Sequence, residues 1–162
     1  MKAAFRKYTL NFIRPGGTSR GVLTHKETYL ICLEADGRWG LGEAGLFRGL
    51  SADDRPDYEA RLVEACKALE AGSETVLGDF REYPSIVFGL EQALSSLKSA
   101  NPFELFSSRF LEGEPIPING LIWMGDLPFM QQQIQEKLEA GFQCLKLKIG
   151  ALDFESELRL LR

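Results

Sequence analysis

Histidine is almost absent from this 162-residue sequence, His25 being the only one. A histidine-based metal cluster or a serine-histidine-aspartate relay would have to rest on that single side chain, which falls in a stretch read as a loop and is taken as incidental. Cysteine is scarce too. Cys32, Cys66 and Cys144 are odd in number, far apart and set in contexts that read as core strand or helix, so they are expected to be reduced and buried and not to be ligands. No run approaches the roughly 20 apolar residues that span a bilayer. The start, Met1 to Lys7, reaches charge before a signal-like apolar stretch can form, which favours a cytoplasmic protein with no membrane partner. Nor is there an excess of positive charge. Lys and Arg number 19 against 23 Asp and Glu, a net charge of -4, so no general attraction to nucleic acid is expected. Internal repeats and low-complexity tracts are missing as well.

What is present is enough apolar residue, 44%, to bury a core. Ala4 to Ile13 alternates, with Tyr8, Leu10 and Phe12 on the face read as half-buried. Arg14 to Gly21 packs three glycines and a proline into eight residues and reads as a loop: either a connector or a lid that carries Ser19 and Arg20 to a site. Tyr29 to Ala35 and Arg38 to Glu43 flank Asp36-Gly37, a strong hairpin turn, which completes a three-stranded antiparallel meander. The glycines of Trp39 to Gly45 imply a bulge or close backbone approach. Helical spacing follows: Tyr58, Leu62, Cys66 and Leu69 share one face, and Ile86, Leu90, Ala93, Leu94 and Leu97 another, with Pro84 suited to a first turn.

Glu112 to Pro117, charged and rich in glycine and proline, is the expected domain boundary, separating 1–115 from 116–162. Beyond it, Ile118 to Trp123 reads as a buried strand. A helix from Asp126 to Ala140 carries Met130, Ile134 and Leu138, and Cys144 to Gly150 forms the next strand. Asp153 caps a last helix with Phe154, Leu158 and Leu161 on one face. Strand, helix, strand, helix is the pattern of a parallel α/β sheet or barrel. Two βα units fall short of a barrel, so the chain is expected to be truncated.

Cys144-Leu145-Lys146-Leu147-Lys148-Ile149-Gly150 places two lysines on one face of its strand and aliphatics on the other. If the lysines face water, the strand is merely amphipathic. If they face a pocket, neighbouring ammonium groups depress each other's pKa and one becomes a base near neutrality. A strand in a βα series normally has both faces covered, which favours the pocket.

The Gly40-Leu41-Gly42-Glu43 hairpin arm, the proline boundary and the βα series carrying Lys146-x-Lys148 together resemble the enolase superfamily, in its muconate-cycloisomerase-like subgroup. Residues 17–23, 40–44, 49–51, 118–125 and 144–150 look most like the o-succinylbenzoate-forming dehydratases of menaquinone biosynthesis, although racemases of N-acylated amino acids and dipeptide epimerases share the lysines. The resemblance implies an α+β capping domain followed by the first two βα units of an incomplete TIM-type barrel. It further implies Lys148 as the base that takes the proton next to a substrate carboxylate, and Lys146 as its cationic neighbour. A divalent ion, normally Mg²⁺, would stabilise the resulting enediolate on acids that this chain lacks, so no residue here is assigned to the metal. Ser19 and Arg20 are candidate substrate contacts. The expected partner is a small-molecule carboxylate, with oligomeric state open. A fragment of this length is expected to be inactive alone, and a noncatalytic cap or interaction fragment is the competing class.

Overall fold

A computed structural model describes residues 1–18, 21–150 and 152–161. The chain divides into two compact units, residues 1–11 with 25–107, and residues 12–24 with 108–162.

The three-stranded sheet has the order β1 (Lys2–Thr18), β2 (Gly21–Ala35), β3 (Arg38–Leu46). Asp36 and Gly37 both take positive φ, 53° and 72°, the two-residue turn that matches strand twist and that the Asp-Gly pair predicts. Across the antiparallel ladder Tyr29, Ile31 and Leu33 oppose Ala44, Gly42 and Gly40. Large residues on β2 thus stand beside small ones on β3, leaving a trough in which α3 (Pro84–Lys98) lies. The approach is backbone to backbone. A Cβ on Gly42 would overlap the Gly89 carbonyl oxygen, and one on Gly40 would overlap the main chain of Ala93 and Leu97. The close approach expected of these glycines is what they supply.

β3 is an edge strand, and α3 covers its free edge with side chains. The Leu41 N–H donates to Ser96 Oγ at 2.9 Å and the Glu43 N–H to Gln92 Oε1 at 2.9 Å. Helix α1 (Tyr58–Glu70) adds Tyr58, Leu62, Ala65 and Leu69 to the same core, and its predicted face is the buried one. Tyr29, Tyr58 and Tyr83 stack at 5.2 and 6.4 Å between ring centres, each with its hydroxyl hydrogen-bonded. A short helix that the sequence reading missed, α2 (Val76–Asp79), packs Val76 inward. Asp53, wholly buried, accepts from the Ser85 N–H at 2.8 Å and Ser85 Oγ at 2.6 Å, and so caps α3 from a distant loop.

In the second unit, β4 (Gly120–Ile122) and β5 (Leu145–Leu147) pair in parallel, joined by α4 (Leu127–Glu139) and followed by α5 (Phe154–Leu160). Asp126 and Asp153 cap the two helices by accepting from the Phe129 and Ser156 N–H groups. Gly141 ends α4 with φ 85°.

Several expectations need correction. Arg14 to Thr18 is not a loop: β1 runs to Thr18, because an edge strand tolerates proline and glycine, and β2 starts at Gly21. His25 therefore lies in a strand. On β1 it is Ala3 and Phe5 that pack on the core, whereas Tyr8 and Leu10 are exposed, so the inward face is the opposite one. Cys32 occupies the outward position between Ile31 and Leu33 and is exposed, as is Cys144 ahead of a two-stranded sheet; only Cys66 is buried. Burial pushes the Cys66 thiol up to about 11. Leu138, Phe154 and Leu161, on the apolar faces that helical spacing predicts, are exposed, while Gln133 on α4 is buried.

Candidate active site at the ends of two parallel strands

The register of β4 and β5 decides which side chains share a face. Leu121 pairs with Lys146, so their side chains project to the same side, and the paired register ends at Ile122 and Leu147. Gly120, Ile122, Leu145 and Leu147 take the other side; Ile122 is fully buried, and a Cβ on Gly120 would meet Leu145, Phe142 and Lys137. Lys146 sits within β5 and Lys148 just past its C-terminal end, the end at which parallel α/β folds place their chemistry. The structure thus puts Lys146 in the paired strand and Lys148 one residue beyond it. It does not cover them. Lys146, Lys148 and Ile149 are exposed among the described residues, because this sheet has two strands.

Each strand end is held by the helix that follows it. Gln133, on α4, accepts from the Trp123 N–H at 2.9 Å and donates to the Trp123 carbonyl at 3.0 Å and the Phe129 carbonyl at 3.3 Å. On α5, the Glu157 carboxylate accepts from the Gly150 N–H and, at 3.2 Å, from the Leu152 N–H. With φ 99°, Gly150 takes the turn out of the strand in a conformation that suits glycine. Sequence reading missed Gln133 and Glu157. The available signal was a glutamine three residues after Met130, at a position where helical spacing calls for an apolar residue.

A cavity of about 780 Å³ runs beside β4 within this unit, walled by Leu121, Trp123, Phe129, Gln132, Lys137 and Phe142. Lys146 and Lys148 do not line it. Ser19 and Arg20, the candidate substrate contacts, lie outside the described residues.

In the first unit Glu43 projects from β3 into a cavity of about 490 Å³ with Lys26, Ser51 and Gln92. The Thr28 hydroxyl, at 2.7 Å, and the Lys26 ammonium, at 3.0 Å, hold the Glu43 carboxyl below the usual carboxylate range. Nearby, Glu27 bonds Lys7 at 2.7 Å and Arg48 at 2.7 Å, and Arg48 reaches on to Asp54 at 2.7 Å. This network ties the loop around Gly49 to the sheet. Among the described residues no group of three or more histidines, cysteines, aspartates or glutamates is placed to hold a metal ion. Nor is any described helix long and apolar enough to cross a membrane.

No protein-family model matches the chain. It is 40% identical to o-succinylbenzoate synthase of Desulfotalea psychrophila over 99% of its own length and 52% of that protein's. The crystal structure of MenC from the same organism matches with TM-score 0.69 and 35% identity, over 99% of this chain and 51% of that one. O-succinylbenzoate synthase from Thermosynechococcus elongatus, solved with Mg in its active site, matches with TM-score 0.73 and 22% identity, over 99% and 47%. The chain therefore spans about half the length of the relatives it matches. In fold it matches these two structures along almost its whole length, and in sequence it is similar to o-succinylbenzoate synthase over the same span.

Proposed function

We propose that this chain forms part of a Mg²⁺-dependent carbon-oxygen lyase that makes o-succinylbenzoate, with residues 1–115 as cap and 116–162 as the start of the barrel. The observation that supports the reading is Lys146 in a parallel strand with Lys148 just past its C-terminal end, in a chain 40% identical to o-succinylbenzoate synthase. Lys148, at the mouth end, takes the proton next to the substrate carboxylate. As an ammonium it then donates a proton to the departing hydroxyl, so that water leaves and the double bond forms. Lys146, one pleat below, adds positive charge where the enediolate develops. The described residues do not build a metal site, so its ligands belong outside them, and no step is assigned to the metal here. The remaining parts of the reading are a role in menaquinone biosynthesis, a cytoplasmic location and a small carboxylate substrate.

The test is Mg²⁺-dependent formation of o-succinylbenzoate by the protein as its gene encodes it. Product formation that needs the metal supports the reading. Activity confined to N-acylated amino acids or dipeptides would make it a racemase or epimerase, and no activity on any of these would leave a noncatalytic fragment.

A further inference from the structure

Lys148 is the first residue past the paired part of β5, so the ladder that sets Leu147 opposite Ile122 does not set the lysine itself. Packing does not hold it either, since Lys148 and Ile149 are both exposed. Its backbone is governed by the fixed points on either side. Before it stands the Leu147–Ile122 pair, with Ile122 fully buried. After it stands a side chain from α5: Glu157 Oε1 accepts from the Gly150 N–H and, at 3.2 Å, from the Leu152 N–H. Helix capping does not account for these bonds. Asp153 already caps α5 by accepting from the Ser156 N–H at 3.0 Å, whereas Glu157, one turn farther along, reaches back past the cap to amides of the preceding loop. Hydrogen bonds to an ionised carboxylate are the stronger kind, and here one oxygen gathers two main-chain donors just where Gly150, at φ 99°, turns the chain out of the strand.

Resting on the proposed function, we infer that Glu157 is a positioning residue for Lys148: its carboxylate clamps the chain two residues beyond the lysine and so fixes where that side chain leaves the strand end. Glu157 takes no proton and acts through the main chain. A base works only within hydrogen-bond reach of the proton it removes, and a displacement of about 1 Å at the reacting groups can cost about 10²-fold in rate. With Leu147 and Gly150 both fixed, the two residues between them have little freedom. With Leu147 alone, the exposed strand end frays.

The experiment uses the protein as its gene encodes it, assayed for o-succinylbenzoate formation. Glu157→Ala should lower kcat by about 10- to 100-fold while KM stays within about threefold, because the base is misplaced and substrate binding is not. Amide hydrogen exchange at Gly150 should quicken by about tenfold or more in the same variant. Glu157→Gln, which keeps an acceptor oxygen at the same reach, should recover most of the lost kcat. Glu157→Asp, which keeps the charge but is one methylene short, should behave like the alanine variant. Should Glu157→Ala fail to fold, the contrast between Gln and Asp carries the test. A folded Glu157→Ala protein with wild-type kcat, or a glutamine variant as slow as the alanine one beside an aspartate variant that is not, overturns the inference alone. A wild-type protein that forms no o-succinylbenzoate overturns the proposed function and this inference with it.

Discussion

At Gly42 one added methyl has nowhere to go. Gly42→Ala pushes a Cβ into the Gly89 carbonyl oxygen, and because the obstacle is backbone, the strand and helix must part. The variant should lose about 3 kcal/mol or more, at the upper end of overpacking, read as a lower urea midpoint. Gly37→Ala meets no atom within 4 Å and suffers only from its φ of 72°, so it should lose about 1 kcal/mol. Ionisation makes a different prediction. Glu43 is held below the ordinary carboxylate range first by the Thr28 hydroxyl and then by Lys26, and Glu27 first by Lys7 and then, after an opposing desolvation effect, by Arg48. A carboxyl with a depressed folded pKa contributes stability that is present above its unfolded value, about 4.3, and is lost as pH falls through the folded value. Thermal stability should accordingly decline as pH drops below about 4.3, and in an NMR titration Thr28→Val should move the Glu43 midpoint upward. Gly40 and Gly42 were legible in the sequence as close-approach residues. The partners of Glu43 and Glu27 were not, since hydrogen bonds between strands and loops leave no periodic trace.

Strand edges explain how the elements stay together. Ser96, fully buried, accepts from the Leu41 N–H and donates to the Pro102 carbonyl at 2.7 Å. Ser96→Ala leaves both groups without their partner, which should cost about 1–3 kcal/mol and speed hydrogen exchange at Leu41 more than at residues paired to β2. On α4 the Asp126 cap should be worth about 1 kcal/mol: Asp126→Ala loses it and Asp126→Ser keeps most of it. Apolar periodicity was sufficient to locate α1, α3, α4 and the βαβ order, because burial against a core imposes it. It failed on β1. There Pro15, Gly16 and Gly17 look like loop chemistry but sit in an edge strand, and the pattern of Tyr8 and Leu10 points away from the core that Ala3 and Phe5 meet. It also failed at Leu138 and Phe154, whose side chains are more than half exposed.

For the molecule as a whole, the proposed site is legible as a pair of lysines and no further. Their face is expected from strand alternation and their end of the strand from the βα order, whereas the substrate contacts and metal ligands that the proposed function needs leave no readable pattern within this sequence. The 162-residue chain purified alone should give no turnover, since a base without an electrophile opposite it does not make the α-proton acidic enough to remove. Its second unit leaves Ile118, Ile149, Phe154 and Leu161 more than half exposed, so light scattering should show self-association that grows with concentration. The most direct test of the account is Lys148→Ala in the protein as its gene encodes it, assayed for o-succinylbenzoate with Mg²⁺ present. With far-UV circular dichroism unchanged, kcat should fall by about 10²–10⁴, the range that a positioned acid-base group contributes. A folded Lys148→Ala protein that turns over at close to the wild-type rate would contradict the account.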